Sequence, residues 1–435
     1  MNSTYPCSIH FPRNPRMRDA RPTNSASIDL SEFRGAWRIV LVAMLGLCVS
    51  ASASLLYSFG SLVIPLQHAI GWSRADLQPA VGFMFGGTIV STQLVGWLND
   101  RWGMRRVSAL SLAGMSACYL LMTQLGHAIG WLYLLCTLLA LAGVGATQVT
   151  WSNLIVLWFS RNRGLALAAM LSGTGLSAMV YPQAVTWAIS RWNWQGGFVL
   201  LGLAPLAVLP LALAWMKLPS QHGKAAADFA AQRHDGLLFR TALRSARFWT
   251  LNLALALVVA AVVAMISSTI PLLRDKGLDA SDASRAFGGF GISLLVGRLI
   301  VGYLFDRLWA PGVAAVTLAL PALGCALLGS ADAQQTGLLT LATMLVGVGA
   351  GAEFDIGAYL VARYFGMRDY GRLFGLHVSL ITCAATLSPW FFGHLYASTG
   401  TYATMLAICG GAFVSGALLL LPLGRYPKFD SLNLA

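Results

Sequence analysis

Charge is what this sequence has least of. Asp, Glu, Lys and Arg together make up 10% of its 435 residues, against 57% apolar ones, where a soluble domain carries roughly 25% charged residues. So little polar surface cannot cover a globule of this size in water, and most of the chain must be solvated by lipid. Cysteine is equally uninformative of bonds. The seven stand at Cys7, Cys48, Cys118, Cys136, Cys325, Cys383 and Cys409, with no CxxC and no His beside them. Six fall in apolar stretches, where a thiol behaves as a small hydrophobe, so neither disulfides nor a metal site are expected. A Walker loop, an HExxH pair and a GxSxG elbow are all absent, and no polar segment is long enough for a catalytic module. No enzyme and no cofactor are expected. The first 34 residues are polar and rich in Pro and Arg without an apolar core, which reads as a tail rather than a signal peptide.

What is present is apolar and periodic at the scale of a bilayer. Windows long enough to span one, about 20 residues each, fall at 37–64, 78–98, 107–126, 131–158, 164–189 and 197–216. The polar stretch "KLPSQHGKAAADFAAQRHDG" follows, and six more windows lie at 248–272, 284–305, 310–330, 336–362, 371–397 and 402–423. Twelve crossings put both termini on one side. The expected organisation is a tail over 1–36, a six-helix bundle over 37–216, a linker over 217–247, a second bundle over 248–423 and a tail over 424–435.

The net charge of +13 would elsewhere suggest nucleic acid, but topology accounts for it. Segments on the side of the termini hold 23 of the 29 basic residues, and the opposite loops keep five: Arg74, Arg191, Arg274, Lys276 and Arg285. Lys and Arg concentrate on the cytoplasmic side of membrane proteins, so cytoplasmic termini and no nucleic-acid partner are expected.

A fixed shift of 206 residues maps the chain onto itself. Asp100-Arg101 maps onto Asp306-Arg307, "IPL" at Ile64 onto "IPL" at Ile270, "GVGA" at Gly143 onto "GAGA" at Gly349, and Phe159 onto Phe365. Four landmarks at one shift describe two six-helix halves in the same orientation. Parallel repeats of this kind build transporters with the site at the midplane, between the halves.

The loop Gly96-x-x-x-Asp100-Arg101-x-Gly103-x-Arg105-Arg106, between the second and third windows, resembles the signature loop of the major facilitator superfamily. Gly302, Asp306 and Arg307 resemble the degenerate copy which that family carries between its eighth and ninth helices. The resemblance covers about 37–423 and implies an all-α membrane protein of twelve helices, with helices 1, 4, 7 and 10 lining a cavity. It also implies a conformational latch made of Gly96, Asp100, Arg101, Gly103, Arg105, Asp306 and Arg307. Gly96 permits close helix approach. Asp100 can accept hydrogen bonds from a helix N-terminus, whose dipole favours negative charge; the resemblance points to the start of helix 11, near Gly371. Topology alone accounts for some of the arginines.

Ionisable residues inside spans are costly and mark function by default. Arg298 lies in the eighth window, Glu353 and Asp355 in the tenth and His377 in the eleventh. At 1.5 Å per residue, Arg298 and Glu353 lie about 6 Å from the centres of their helices and Asp355 about 9 Å. Glu353 and Asp355 are about 200° apart around their helix, so they cannot both face one cavity. A guanidinium at this depth is an anchor for a carboxylate substrate through a bidentate fork, or the structural partner of Glu353 or Asp355. The substrate role is preferred here for Arg298, with one carboxylate as proton-coupling site and the other as its partner. His377 reads as a hydrogen-bonded packing residue. Ser54, Tyr57 and Ser58 share one helical face, as do Gln148, Trp151 and Ser152. With Ser267 in the seventh window they complete the expected substrate wall, although each Ser taken singly suits a bond to a helix carbonyl.

Tyr57 to Leu77, "YSFGSLVIPLQHAIGWSRADL", is similar to the first helix and outer loop of monocarboxylate porters and oxalate/formate antiporter relatives. "RYFGMRDYGRLFG", Arg363 to Gly375, fits the helix 10–11 loop of bacterial members, and Arg298 matches the helix 8 arginine these families use for carboxylates. Eukaryotic monocarboxylate porters begin helix 1 with an acidic residue. Here "MLGLCVSASASLLY" is uncharged, which moves any proton coupling to helix 10. The expectation is a monomeric, proton-coupled transporter of a small monocarboxylate-like anion in a bacterial inner membrane. The alternative is a proton antiporter that exports amphipathic compounds, suggested by 14 Trp and 14 Met.

Overall fold

The computed structural model describes residues 31–159, 163–216, 236–305, 307–366 and 368–427. Eleven helices among them are long and apolar enough to cross a bilayer. One, Leu165–Trp215, has 51 residues, about 77 Å at 1.5 Å per residue and more than twice a ~30 Å hydrocarbon core. It leaves helical geometry at Trp192 (φ −133°, ψ 30°) and Asn193 (φ 55°, ψ −168°), so it makes two crossings. The total is twelve.

Spans 1 to 4 are Ser31–Cys48 with Ala51–Ile70, Arg74–Leu77 with Pro79–Trp102, Met104–Leu121, and Ile129–Ala142 with Gln148–Trp158. Spans 5 and 6 are the two limbs of Arg163–Trp215. Spans 7 to 12 are Ala246–Asp275, Ala280–Phe305, Ala310–Ser330, Thr336–Phe365, Tyr370–Thr399 and Ala403–Leu420. The first helix begins at Ser31 rather than at 37. Most of the anticipated linker and most of each tail lie outside the described residues. The end of the linker is anchored: Leu237 N donates to Phe365 O at 2.8 Å and Phe239 N to Asp369 Oδ2 at 2.8 Å.

Leu110, Val316 and Leu387 are 65%, 67% and 64% exposed. Large apolar side chains presented in this way on all sides of the bundle require lipid around it.

Two crossings of the first half are broken. Span 1 breaks at Val49–Ser50, and span 4 passes through a 3-10 turn, Gly143–Ala146, before restarting at Gln148. Inside a membrane, backbone groups freed by a break need internal partners. For span 4, span 3 supplies them: Ser111 Oγ accepts from Gly145 N at 2.8 Å, and Ser108 Oγ donates to Gly145 O at 2.8 Å. At the break in span 1, Ser177 Oγ of span 5 donates to the Cys48 carbonyl at 2.6 Å. A Cβ at Gly145 would overlap the Val107 backbone, so only glycine lets the turn lie this close.

The halves meet through spans 1 with 7, 2 with 11 and 5 with 8. On the side away from the termini, called the far side below, glycines press on the opposite half: Gly60 against Ile270, Gly82 against the Thr386 carbonyl and Gly393 against Gln78. At the terminal side, Gly96, Gly302, Gly371 and Gly375 have open space where a Cβ would stand. The hydrogen bonds between the halves among the described residues lie at the far side and the middle of the bundle, so the halves are closed at the far side and parted toward the terminal side.

Candidate functional site

Span 8 carries the arginine and span 10 the carboxylates, and glycines bring the two helices together. Gly347 and Gly351, four apart on span 10, sit against the backbone carbonyls of Phe290 and Leu294, while Gly297 of span 8 sits against Val348. Small residues at this spacing let membrane helices approach to backbone contact. The approach places the Gly351 carbonyl 3.1 Å from Arg298 Nε.

Arg298 is satisfied from both halves. Its Nε lies 2.9 Å from Asp355 Oδ2, and its Nη1 donates to the Leu171 carbonyl of span 5 at 2.9 Å and to Thr174 Oγ1 at 3.4 Å. Nη2 has no partner among the described residues. The Arg298 side chain is 11% exposed and that of Asp355 37%, so the pair is buried at its basic end and open at its acidic end.

Glu353, two residues before Asp355, points elsewhere. It is buried, and its Oε2 has no hydrogen-bond partner. Tyr57 of span 1 is buried beside Phe290 of span 8, with ring centroids 6.0 Å apart, within electrostatic reach of Arg298 and Glu353. Tyr57, Arg298, Glu353 and Asp355 therefore form one cluster at the junction of the halves. Among the described residues no group of three or more His, Cys, Asp or Glu is arranged to hold a metal.

The rest of the expected wall is elsewhere. Ser54 is fully buried and bonded to the Ser50 carbonyl at 2.9 Å and to the Tyr119 hydroxyl of span 3 at 2.6 Å. Ser58 donates to the Ser54 and Leu55 carbonyls at 2.6 and 3.2 Å, and Ser267 to the Ala264 carbonyl at 3.2 Å. These three hydroxyls satisfy their own helices, or the half they belong to, rather than the junction. Trp151 is fully buried with its ring where a Cβ of Gly46 would stand, and its Nε1 donates to Ala146 O at 3.1 Å. It packs spans 1 and 4 together. Gln148 begins the second piece of span 4 and is exposed. His377 is fully buried with Nδ1 2.8 Å from Asn252 Oδ1, and its Nε2 occupies the space a Cβ of Gly357 would need.

In the first signature loop Gly103 has φ +82°, the left-handed turn that separates spans 2 and 3. Asp100 is exposed without a partner among the described residues. Arg101 lies 5.6 Å from the Trp97 ring centroid, and Arg105 donates to the Leu213 carbonyl. Asp306 falls outside the described residues, and Arg307 stacks 4.1 Å from the Tyr303 ring centroid. The contact expected between Asp100 and span 11 is not made in this parted state.

Sequence reasoning missed the Leu171 and Gly351 carbonyls, because every residue has one and only packing selects which faces a guanidinium. The run "GVGAGAE" was the one available signal for Gly351.

The sequence profile of the Major Facilitator Superfamily matches residues 42–354 and 277–431. The chain is 26% identical to the gallate transporter of Pseudomonas putida over 86% of this chain and 84% of that one. It is also 26% identical to monocarboxylate transporter 11 of Homo sapiens, over 90% and 84%. Among solved structures, the nucleoside transporter NupG superposes with a TM-score of 0.70 at 13% identity, covering 89% of this chain and 99% of that one.

Proposed function

The chain belongs to the major facilitator superfamily, and on that premise we propose that it carries a small organic carboxylate across a bacterial inner membrane by proton-coupled alternating access. The observation that carries the substrate class is Arg298. It is a guanidinium at the junction of the halves whose Nε is held by Asp355 while Nη2 is free and Nη1 rests on a backbone carbonyl of the opposite half. A substrate carboxylate can take the Nη1–Nη2 edge as a fork, displacing the weaker neutral acceptor at Leu171 and leaving Asp355 in place. Removing that acceptor also removes a link between the halves, which ties binding to their relative movement. The printed names of two relatives, carriers of gallate and of monocarboxylates, agree with a carboxylate.

Glu353 is the proton site in this reading and Asp355 the structural partner. Burial of an unpaired carboxylate costs far more than burial of the neutral acid, so Glu353 carries a proton through the states in which it is enclosed. The positive bias of the loops supports cytoplasmic termini, and in this reading the parted side faces inward. Asp100 docks on the start of span 11 when that side closes, with Arg101, Arg105 and Arg307 holding the loops at the membrane surface.

The test is counterflow in proteoliposomes with a panel of labelled carboxylates, gallate and lactate included. Exchange of at least one that is abolished by Arg298→Ala supports the reading. Exchange of amphipathic cations with none of the carboxylates would replace it with an export pump.

A further inference from the structure

On the far side one cation of the first half is held chiefly by the second, with one longer bond to its own half, from Nε to Gln67 Oε1 at 3.4 Å. Arg74, at the start of span 2, donates from Nη1 and Nη2 to Oδ2 and Oδ1 of Asp275 at 2.5 and 2.7 Å. Nη1 also reaches the hydroxyls of Tyr396 and Tyr402 at 3.0 and 3.1 Å, and the guanidinium lies 4.9 and 5.8 Å from their ring centroids. Tyr396 in turn donates to Asp275 Oδ2 at 3.2 Å. Asp275 ends span 7, Tyr396 is near the end of span 11, and Tyr402 precedes span 12. Although it lies beside a loop, the Arg74 side chain is only 12% exposed.

The contact continues along span 2 in steps of four residues. Gln78, which has helical geometry (φ −55°, ψ −41°), donates to Ser268 Oγ of span 7 at 3.4 Å and packs on Gly393 of span 11. Gly82 lies against the Thr386 carbonyl of span 11. Arg74, Gln78 and Gly82 thus form one stripe at i, i+4 and i+8, set against spans 7 and 11.

We infer that this stripe is the far-side gate of the transport cycle, and that Arg74 is its lock. The inference rests on the alternating-access reading above. Opening the far side separates span 2 from spans 7 and 11, so Arg74 loses its carboxylate, both tyrosine hydroxyls and both ring faces in one movement. A lone surface ion pair is worth little. Here a bidentate pair is shielded by two aromatic rings and coupled to two hydroxyls, so its loss should change the balance of open and closed states by about 5- to 150-fold, the usual span of coupling between two states.

The test is a distance measurement on full-length protein in nanodiscs without substrate, with spin labels at Gln124→Cys and Asp332→Cys, exposed far-side positions of the two halves. Arg74→Gln and Asp275→Asn should each raise the population at long distance by at least about fivefold, and Arg74→Asp with Asp275→Arg should bring it back down. Tyr402→Phe, which removes a single acceptor, should give a smaller rise and serves if an Arg74 variant does not fold. Gly82→Trp, a wedge in the same stripe, is the control for the cycle itself. If the wedge opens the far side and the Arg74, Asp275 and Tyr402 variants do not, the lock is overturned and alternating access stands. If none of them opens it, alternating access falls as well.

Discussion

Replacing Arg298 by Lys keeps a positive charge between the halves and removes the planar fork. In the wild-type protein three acceptors are served at once: Asp355 at 2.9 Å, the Gly351 carbonyl at 3.1 Å and the Leu171 carbonyl at 2.9 Å. An ammonium can keep Asp355 but cannot also hold both carbonyls and present two parallel N–H groups to a substrate. One charge-assisted hydrogen bond is worth about 1.5–3 kcal/mol, which corresponds to roughly 10- to 150-fold in affinity. The stability of the pair is a separate quantity. Breaking a fully buried ion pair costs about 3–5 kcal/mol, and an exposed one is worth about 0–1. With Asp355 37% exposed, water can compensate the acid, so Arg298→Ala should cost about 2 kcal/mol. The assay is carboxylate binding and thermal unfolding of Arg298→Lys, Arg298→Ala and Arg298→Ala with Asp355→Asn. The expected result is a Lys variant with near-native stability and weakened binding, and a double variant with partly restored stability and no binding. Wild-type affinity in the Lys variant would refute the fork, and recovery of binding in the double variant would reduce Arg298 to a structural strut.

Glu353→Gln should lose accumulation driven by a pH gradient while keeping counterflow exchange, measured side by side in the same vesicles; normal accumulation would exclude Glu353 from coupling. Gly351→Ala drives a methyl group into the Leu294 carbonyl, so it should lower thermal stability by about 1–3 kcal/mol and weaken carboxylate binding with it. Gly337→Ala, with nothing within 4 Å, should stay within about 0.5 kcal/mol. Asp100→Asn should insert normally and raise maleimide labelling of a Gly375→Cys reporter from the terminal side. Unchanged labelling with normal transport would sink the latch.

The crossings, the two-half plan and the presence of Arg298, Glu353 and Asp355 within spans were legible in the sequence, because lipid demands long apolar helices and makes each charge within them conspicuous. The choice between Glu353 and Asp355 was not. Spacing showed that they face apart, and only the close approach of spans 8 and 10 at Gly351 determined which one Arg298 reaches. Ser54 and Ser58 share a helical face, as spacing said, but that face turns to carbonyls and to Tyr119. Periodicity tells which residues share a face and nothing about what the face meets. Gln148 and Trp151 stand one turn apart on the helix that follows the break, yet Trp151 is buried against Gly46 while Gln148, at the helix start, is exposed. Arg74 and Asp275 are 201 residues apart and look like two ordinary loop charges in the sequence. Composition and periodicity determined which segments cross the membrane and where charge must be satisfied. Which groups satisfy it depends on pairings between helices distant in sequence, and those arise only when backbones pack to contact.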